Sequence, residues 1–150
     1  MRARIRTVAR AAALLLTAIV LTACTARTGV VFEPNAGSLT MTQVEQKARS
    51  VSIASASALD KTAAPAAREK VLVDLRTRGA EGQRAATLLT KGFPQDTPSV
   101  PVWVGVCSVD GAKSVVAIEA YPDKAGKLNW RRLWVFDFNT GAVRLAASFH

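Results

Sequence analysis

The stretch that decides the fold runs over residues 100–149: VPVWVGVCSVDGAKSVVAIEAYPDKAGKLNWRRLWVFDFNTGAVRLAASF. β-branched and aromatic residues recur in it with a period of two, and turn residues break the runs. Four strands are predicted, over about 100–109, 114–121, 128–138 and 142–149. They are separated by Asp110-Gly111, by Pro122-Asp123-Lys124-Ala125-Gly126-Lys127 and by Asn139-Thr140-Gly141. Connections this short join antiparallel neighbours, because a parallel crossover takes about a dozen residues or more. The segment therefore reads as a four-stranded antiparallel meander with an apolar face to cover.

Upstream of the meander the period changes to that of a helix. Thr42-Gln43-Val44-Glu45 fits a capping box, in which the hydroxyl and the acid satisfy the first free amides. Val44, Ala48, Val51, Ala54 and Ala58 follow at steps of three or four, so a helix is expected over about 42–60. Pro65 suits the first turn of a second helix. Val71, Leu72 and Leu75 make a helical stripe there, while Val71, Val73 and Leu75 also alternate as a strand would, with Gly79 closing the segment in both readings. A shorter third helix is expected from Ala80 to Lys91, closed by Gly92 and Pro94. Helices are the available cover for the sheet, so the expected fold is α+β: two or three N-terminal helices packed on one face of the meander.

The 150 residues are 49% hydrophobic and 21% charged, which places the chain with globular proteins and not with disordered ones. The formal charge is +9, but residues 1–23 hold Arg2, Arg4, Arg6 and Arg10 and no acid. The remainder has 16 basic and 11 acidic residues, a charge of +5, with the two signs interspersed. A nucleic-acid binder concentrates its basic residues on one face or helix, so no nucleic acid is expected as partner. The surplus suits anionic lipid heads or an anionic wall polymer.

The first 24 residues say where the protein resides. After the basic start comes Ala11-Ala12-Ala13-Leu14-Leu15-Leu16-Thr17-Ala18-Ile19-Val20-Leu21, too short to span a bilayer, which takes about 20 apolar residues, and suited to the core of an export signal. It ends in Leu21-Thr22-Ala23-Cys24, which resembles the lipobox of bacterial lipoproteins. The resemblance implies that the signal 1–23 is removed and that Cys24 becomes the first mature residue, carrying covalent diacylglyceryl and acyl groups such as palmitate. It also implies a location on the extracytoplasmic face of the cell membrane, with membrane lipid as the first partner. Two or more acyl chains on one residue make a lasting anchor, where a single chain gives only reversible binding.

Residues 24–39 read as a lipidated tether, since Gly29, Pro34, Asn35, Gly37 and Ser38 break any periodicity. Val30-Val31-Phe32 is apolar enough to dock as a short edge strand. The folded domain is then expected over 40–150. With Cys24 acylated, Cys107 is the remaining thiol and makes no intrachain disulfide. It lies in the apolar run that begins at Val100, as a buried structural residue would.

The row Trp130, Arg132 and Trp134 is the candidate binding site. Alternate strand residues share a face, so the three stand side by side, with Phe136 and Phe138 continuing the row. Aromatic and guanidinium groups together can stack on sugars or hold phosphates and carboxylates. The competing reading puts the aromatics in the core and lets Arg132 reach out to water. The hairpin from Leu133 to Val143 is similar to one repeat of the quinoprotein-type β-propellers, but a single copy cannot build a propeller, and it serves as hairpin chemistry.

No catalytic residues, no metal site and no cofactor are expected. The single histidine, His150, is terminal, phosphate-loop spacings are missing, and the acids Asp60, Asp74, Glu81, Asp96, Asp110, Glu119, Asp123 and Asp137 are scattered, several at turns or helix ends. The expected function is a lipid-anchored envelope protein acting as a non-catalytic interaction or accessory module with an envelope protein partner. The alternative is a carrier for a lipid, a glycan or another small molecule, and a small carboxylate-based wall hydrolase ranks third.

Overall fold

The computed structural model describes residues 29–91 and 98–150. In chain order the elements are β1 (Val31–Glu33), β2 (Ser38–Leu39), α1 (Met41–Ser50), α2 (Ala54–Ser57), α3 (Ala64–Arg76), α4 (Gly79–Lys91), β3 (Val100–Val109), β4 (Ala112–Tyr121), β5 (Trp130–Asp137) and β6 (Val143–Phe149). The fold is α+β. The expected export signal, the expected lipidation site Cys24 and the expected helix stop at Gly92-Pro94 lie outside the described residues.

The sheet has six strands and is mixed, which corrects the expected four-stranded meander. β3 to β6 do form an antiparallel meander, with Val104 beside Ala117, Ile118 beside Leu133 and Leu133 beside Ala147. The correction comes from residues 31–39. β1 lies parallel to β3 with Val31 beside Trp103, and β2 lies parallel to the far end of the same strand with Leu39 beside Val109. Between them Ala36 N donates to Val106 O at 2.8 Å and Ser108 N donates to Gly37 O at 2.9 Å. The segment is in effect one edge strand interrupted at Pro34, whose missing N–H suits an edge. Val30-Val31-Phe32 announced a short edge strand, but Pro34, Asn35, Gly37 and Ser38 left the whole of 24–39 reading as tether. Parallel pairing is open to it because four helices lie between β2 and β3.

The helices cover both faces of the sheet and not one, a second correction. Residues paired across antiparallel strands point to the same side. On one side stand Trp103, Leu133, Arg131 and Phe149, and α1 lies over them: Lys47 Nζ is 4.3 Å from the Trp103 ring centre and the Arg49 guanidinium is 4.3 Å from that of Phe149. On the other side stand Glu119, Ala117 and Val104, and Glu119 is met by Arg68 of α3. The short α2 and residues 58–63 pass around the end of the sheet, where Lys61 N donates to Gly126 O at 2.9 Å.

Local chemistry accounts for the helix limits. The capping box is two residues earlier than expected: Thr40 Oγ1 accepts from Gln43 N at 3.2 Å, and Thr40 N donates to Gln43 Oε1 at 2.8 Å. The expected helix over 42–60 stops at Ser50, because Val51 takes an extended backbone and its carbonyl accepts from Arg131 Nε at 3.0 Å. In α3 the helical reading of 71–75 holds: Val71, Leu72 and Leu75 are buried while Val73 is 51% exposed, an arrangement that strand alternation would invert. α4 packs its buried Ala85, Ala86, Leu88 and Leu89 inward. Gly82 lets it approach α3 closely, since a Cβ there would lie 2.3 Å from the Leu75 carbonyl oxygen. The tight turn between β3 and β4 places Asp110 at φ 48° and Gly111 at φ 81°, the twist that a two-residue hairpin requires.

Candidate functional site

Register places the predicted row. Trp130 lies beside Tyr121 of β4; Arg132 lies between Glu119 of β4 and Ser148 of β6; Trp134 lies between Ala117 and Ala146. All point to the side covered by α3 and α4, but the cover thins toward β6. Ala146 and Ser148 are exposed, and Trp130, Arg132 and Trp134 are half-buried. The structure therefore brings the three together on a partly open sheet face. Phe136 and Phe138 do not continue the row as a surface. Phe136 is fully buried, and Phe138 sits past the strand end with Lys113 Nζ 3.9 Å from its ring centre.

The guanidinium of Arg132 lies 3.8 Å from the Tyr121 ring centre and 5.9 Å from that of Trp134. Stacking of this kind leaves the in-plane N–H groups uncommitted. Trp130 contacts Tyr121 with ring centres 6.1 Å apart and meets His150 edge-on at 4.2 Å. Trp134 is stacked on Phe136 at 6.1 Å, and its indole N–H donates to Glu119 Oε2 at 3.3 Å. The neighbouring Arg131 faces the other way and is spent on the Val51 carbonyl. Two adjacent arginines thus have different duties because a strand alternates.

Behind the row lies a buried polar cluster. Glu119, with no exposed surface, accepts from Arg68 Nη1 at 2.5 Å and from Ser99 Oγ at 2.9 Å. Arg68 also donates to the Ser99 carbonyl at 3.2 Å and to the Leu89 carbonyl at 3.0 Å. A carboxylate and a guanidinium are tolerated at this depth because each meets several partners. The cluster ties α3, α4, β3 and β4 together and holds the indole of Trp134 from below. Sequence reasoning listed Glu119 only among scattered acids and passed over Arg68, Ser99 and Tyr121. The available signal was a single acid inside the apolar run Val115-Val116-Ala117-Ile118-Glu119-Ala120, and an arginine three residues before Val71 on the buried stripe.

Cys107 is buried, and burial pushes its thiol above the ordinary value; nearby Lys47 opposes this and Glu33 adds to it. A raised thiol is a poor nucleophile. Three acids serve turns. The hydroxyl and backbone N–H of Thr62 and the N–H of Ala63 hold the carboxyl of Asp60 below its usual value. The amide of Asn129, with backbone N–H groups of the same loop, does so for Asp123, and the backbone N–H and hydroxyl of Thr140 do so for Asp137. Others are paired: Asp74 with Arg78, Glu69 with Arg76, Glu81 with Lys113 and Glu33 with Lys47. Among the described residues, no group of three or more His, Cys, Asp or Glu is placed to hold a metal ion.

Two open grooves flank the β1–β2 edge, one of about 460 Å³ at Pro34, Ser38 and Cys107 and one of about 560 Å³ at Val30, Phe32 and Arg78. Neither is lined by Trp130, Arg132 or Trp134. Among the described residues no helix is long and apolar enough to cross a membrane. Comparison with protein-family models, with curated proteins and with solved structures returns no match for this chain.

Proposed function

We propose that the chain is a lipid-anchored protein of the bacterial cell envelope whose folded domain is a non-catalytic interaction module. The location rests on Leu21-Thr22-Ala23-Cys24 after a short apolar run, with Cys24 as the acylated residue. Only four residues lie between Cys24 and Gly29, a span of at most about 18 Å over the five steps, so the sheet is held close to the membrane surface. The observation that carries the interaction reading is Arg132, set between aromatic rings on a partly open sheet face with its in-plane donors unspent. Tyr, Trp and Arg are the residue types that dominate protein interfaces. The partner in this reading is another envelope protein, and the domain acts on it by binding.

The test is crosslinking of the lipidated protein in its own cells, followed by pull-down and mass spectrometry, with Cys24→Ala as the mislocalised control. One dominant envelope protein that disappears in the control is the expected result. Fractionation of the same cells checks the anchor: Cys24→Ala moves the protein from membrane to soluble fraction, and an unchanged distribution refutes lipid attachment.

A further inference from the structure

Each described arginine except two donates to an oxygen. Arg68 and Arg78 meet carboxylates, Arg76 meets Glu69, and Arg84, Arg131 and Arg144 meet backbone carbonyls. The two exceptions among the described residues are Arg49, exposed on α1 over Phe149, and Arg132. Arg132 differs from Arg49 in being half-buried and held beside two rings. Its guanidinium is fixed in place, yet its donors have no acceptor among the described residues. Such a group is ready for a carboxylate, which matches the guanidinium fork with two parallel hydrogen bonds.

The surrounding rings narrow the ligand class. A sugar needs a free aromatic face. Here Tyr121 carries Arg132, Trp130 is met by Tyr121 and His150, and Trp134 lies against Phe136. The rings form an apolar wall beside the half-buried Arg132, which strengthens a charge pair made there. The one carboxylate paired to this position, Glu119, is fully buried and already engaged by Arg68. Across β6 the small Ala146 and Ser148 leave the approach to Arg132 low. A second copy is disfavoured by charge, since the mature chain has 16 basic and 11 acidic residues and like-charged copies repel.

We propose that Arg132 is the specificity anchor of this face and takes an aspartate or glutamate from an acidic segment of the protein partner, laid over β5 and β6. The inference rests on the interaction-module reading and names the chemistry of its partner.

The experiment places a photo-crosslinking benzoylphenylalanine at Ser148, the exposed residue beside Arg132, in the full lipidated chain in its own cells. The expected adduct maps to a protein segment with Asp or Glu at or next to the crosslinked position. Arg132→Glu lowers its yield by about 30-fold, the equivalent of a 2 kcal/mol hot spot. Reversal of the mapped acid to lysine restores it. Arg132→Gln, which removes the charge but keeps a polar side chain, must lower the yield as well, with the melting temperature of each variant checked in parallel.

An adduct with a second copy of the chain overturns the proposal. So does an adduct with a peptide-free polymer that phosphodiester cleavage or periodate degrades, and so does a protein adduct whose yield ignores both substitutions at Arg132. If general crosslinking finds a partner but Ser148 captures none, the acidic-segment proposal fails and the interaction module stands. If neither finds one, both fail.

Discussion

Removing the guanidinium of Arg68 tests whether the buried cluster holds the sheet and its helices together. In Arg68→Met the side-chain volume is roughly kept, but the carboxylate of Glu119 stays at full burial with only Ser99 Oγ and the Trp134 indole N–H as donors. The carbonyls of Ser99 and Leu89 lose their donor as well. Breaking one side of a buried ion pair costs about 3–5 kcal/mol, a large part of the 5–15 kcal/mol available to a domain. For a domain of this size the melting temperature should fall by about 10–20 °C. Replacing both partners, as in Arg68→Met with Glu119→Gln, removes the stranded charge and should cost only about 1–2 kcal/mol, so the cycle should show a coupling of about 2 kcal/mol or more. Urea unfolding of the chain from residue 24 onward, followed by tryptophan fluorescence and near-ultraviolet dichroism, reads all four corners. A single substitution that costs under about 1 kcal/mol, or a double one no better than the sum of its parts, would refute the role given to the cluster.

Three further outcomes can be checked on the same material. Gly105→Ala puts a Cβ 2.2 Å from an indole carbon of Trp103, so the ring must move, and a loss of about 1–3 kcal/mol with a shifted tryptophan emission is expected. Asp60, Asp123 and Asp137 are held below the ordinary carboxylate value when folded, so the stability they add is present above the unfolded value and is lost as pH falls through the folded one. The triple Asp→Asn variant should therefore have a lower urea midpoint at pH 6 and a flatter decline from about pH 5 downward; an acid limb as steep as the parent's would place the cause elsewhere. Cys107, buried and with its thiol pushed up, should resist a disulfide reagent at pH 8 in the folded protein and react at once in urea, and rapid labelling without denaturant would show that its strand opens.

The meander was legible because each of its strands has a short, diagnostic connection: Asp110-Gly111, the 122–127 loop and Asn139-Thr140-Gly141 can join only antiparallel neighbours. What escaped reading was long-range. Nothing in residues 33–39 says that Ala36 and Leu39 will exchange hydrogen bonds with strand residues 70 positions later, since parallel pairing depends on where the intervening helices return the chain. The distribution of helices over both faces was hidden for a related reason. The broken helix at Val51 lets the chain turn under the sheet end, and the partner that stabilises the break, Arg131, lies on β5. Local propensity around Val51 favoured continuing the helix, and a tertiary hydrogen bond decided otherwise.

The candidate site follows from the same architecture. A strand whose two faces are both covered would bury every side chain, and β3 does so along nearly its whole length. β5 lies nearer the uncovered edge of the sheet, so one of its faces closes under α1 while the other is half open. Arg131 and Arg132 are chemically identical and adjacent, yet the first is consumed by a backbone carbonyl and the second is left over a ring. Alternation alone separates them, and position in the sheet gives the second its access. The row Trp130, Arg132, Trp134 could be read from spacing, but the binding role proposed for it depends on the small Ala146 and Ser148 beside it and on the buried Glu119 and Arg68 beneath it. A loss of binding in Arg68→Met at temperatures where the fold persists would then report a Glu119 carboxylate that, no longer fixed by Arg68, carries the indole of Trp134 out of place, separating support of the site from stability of the domain.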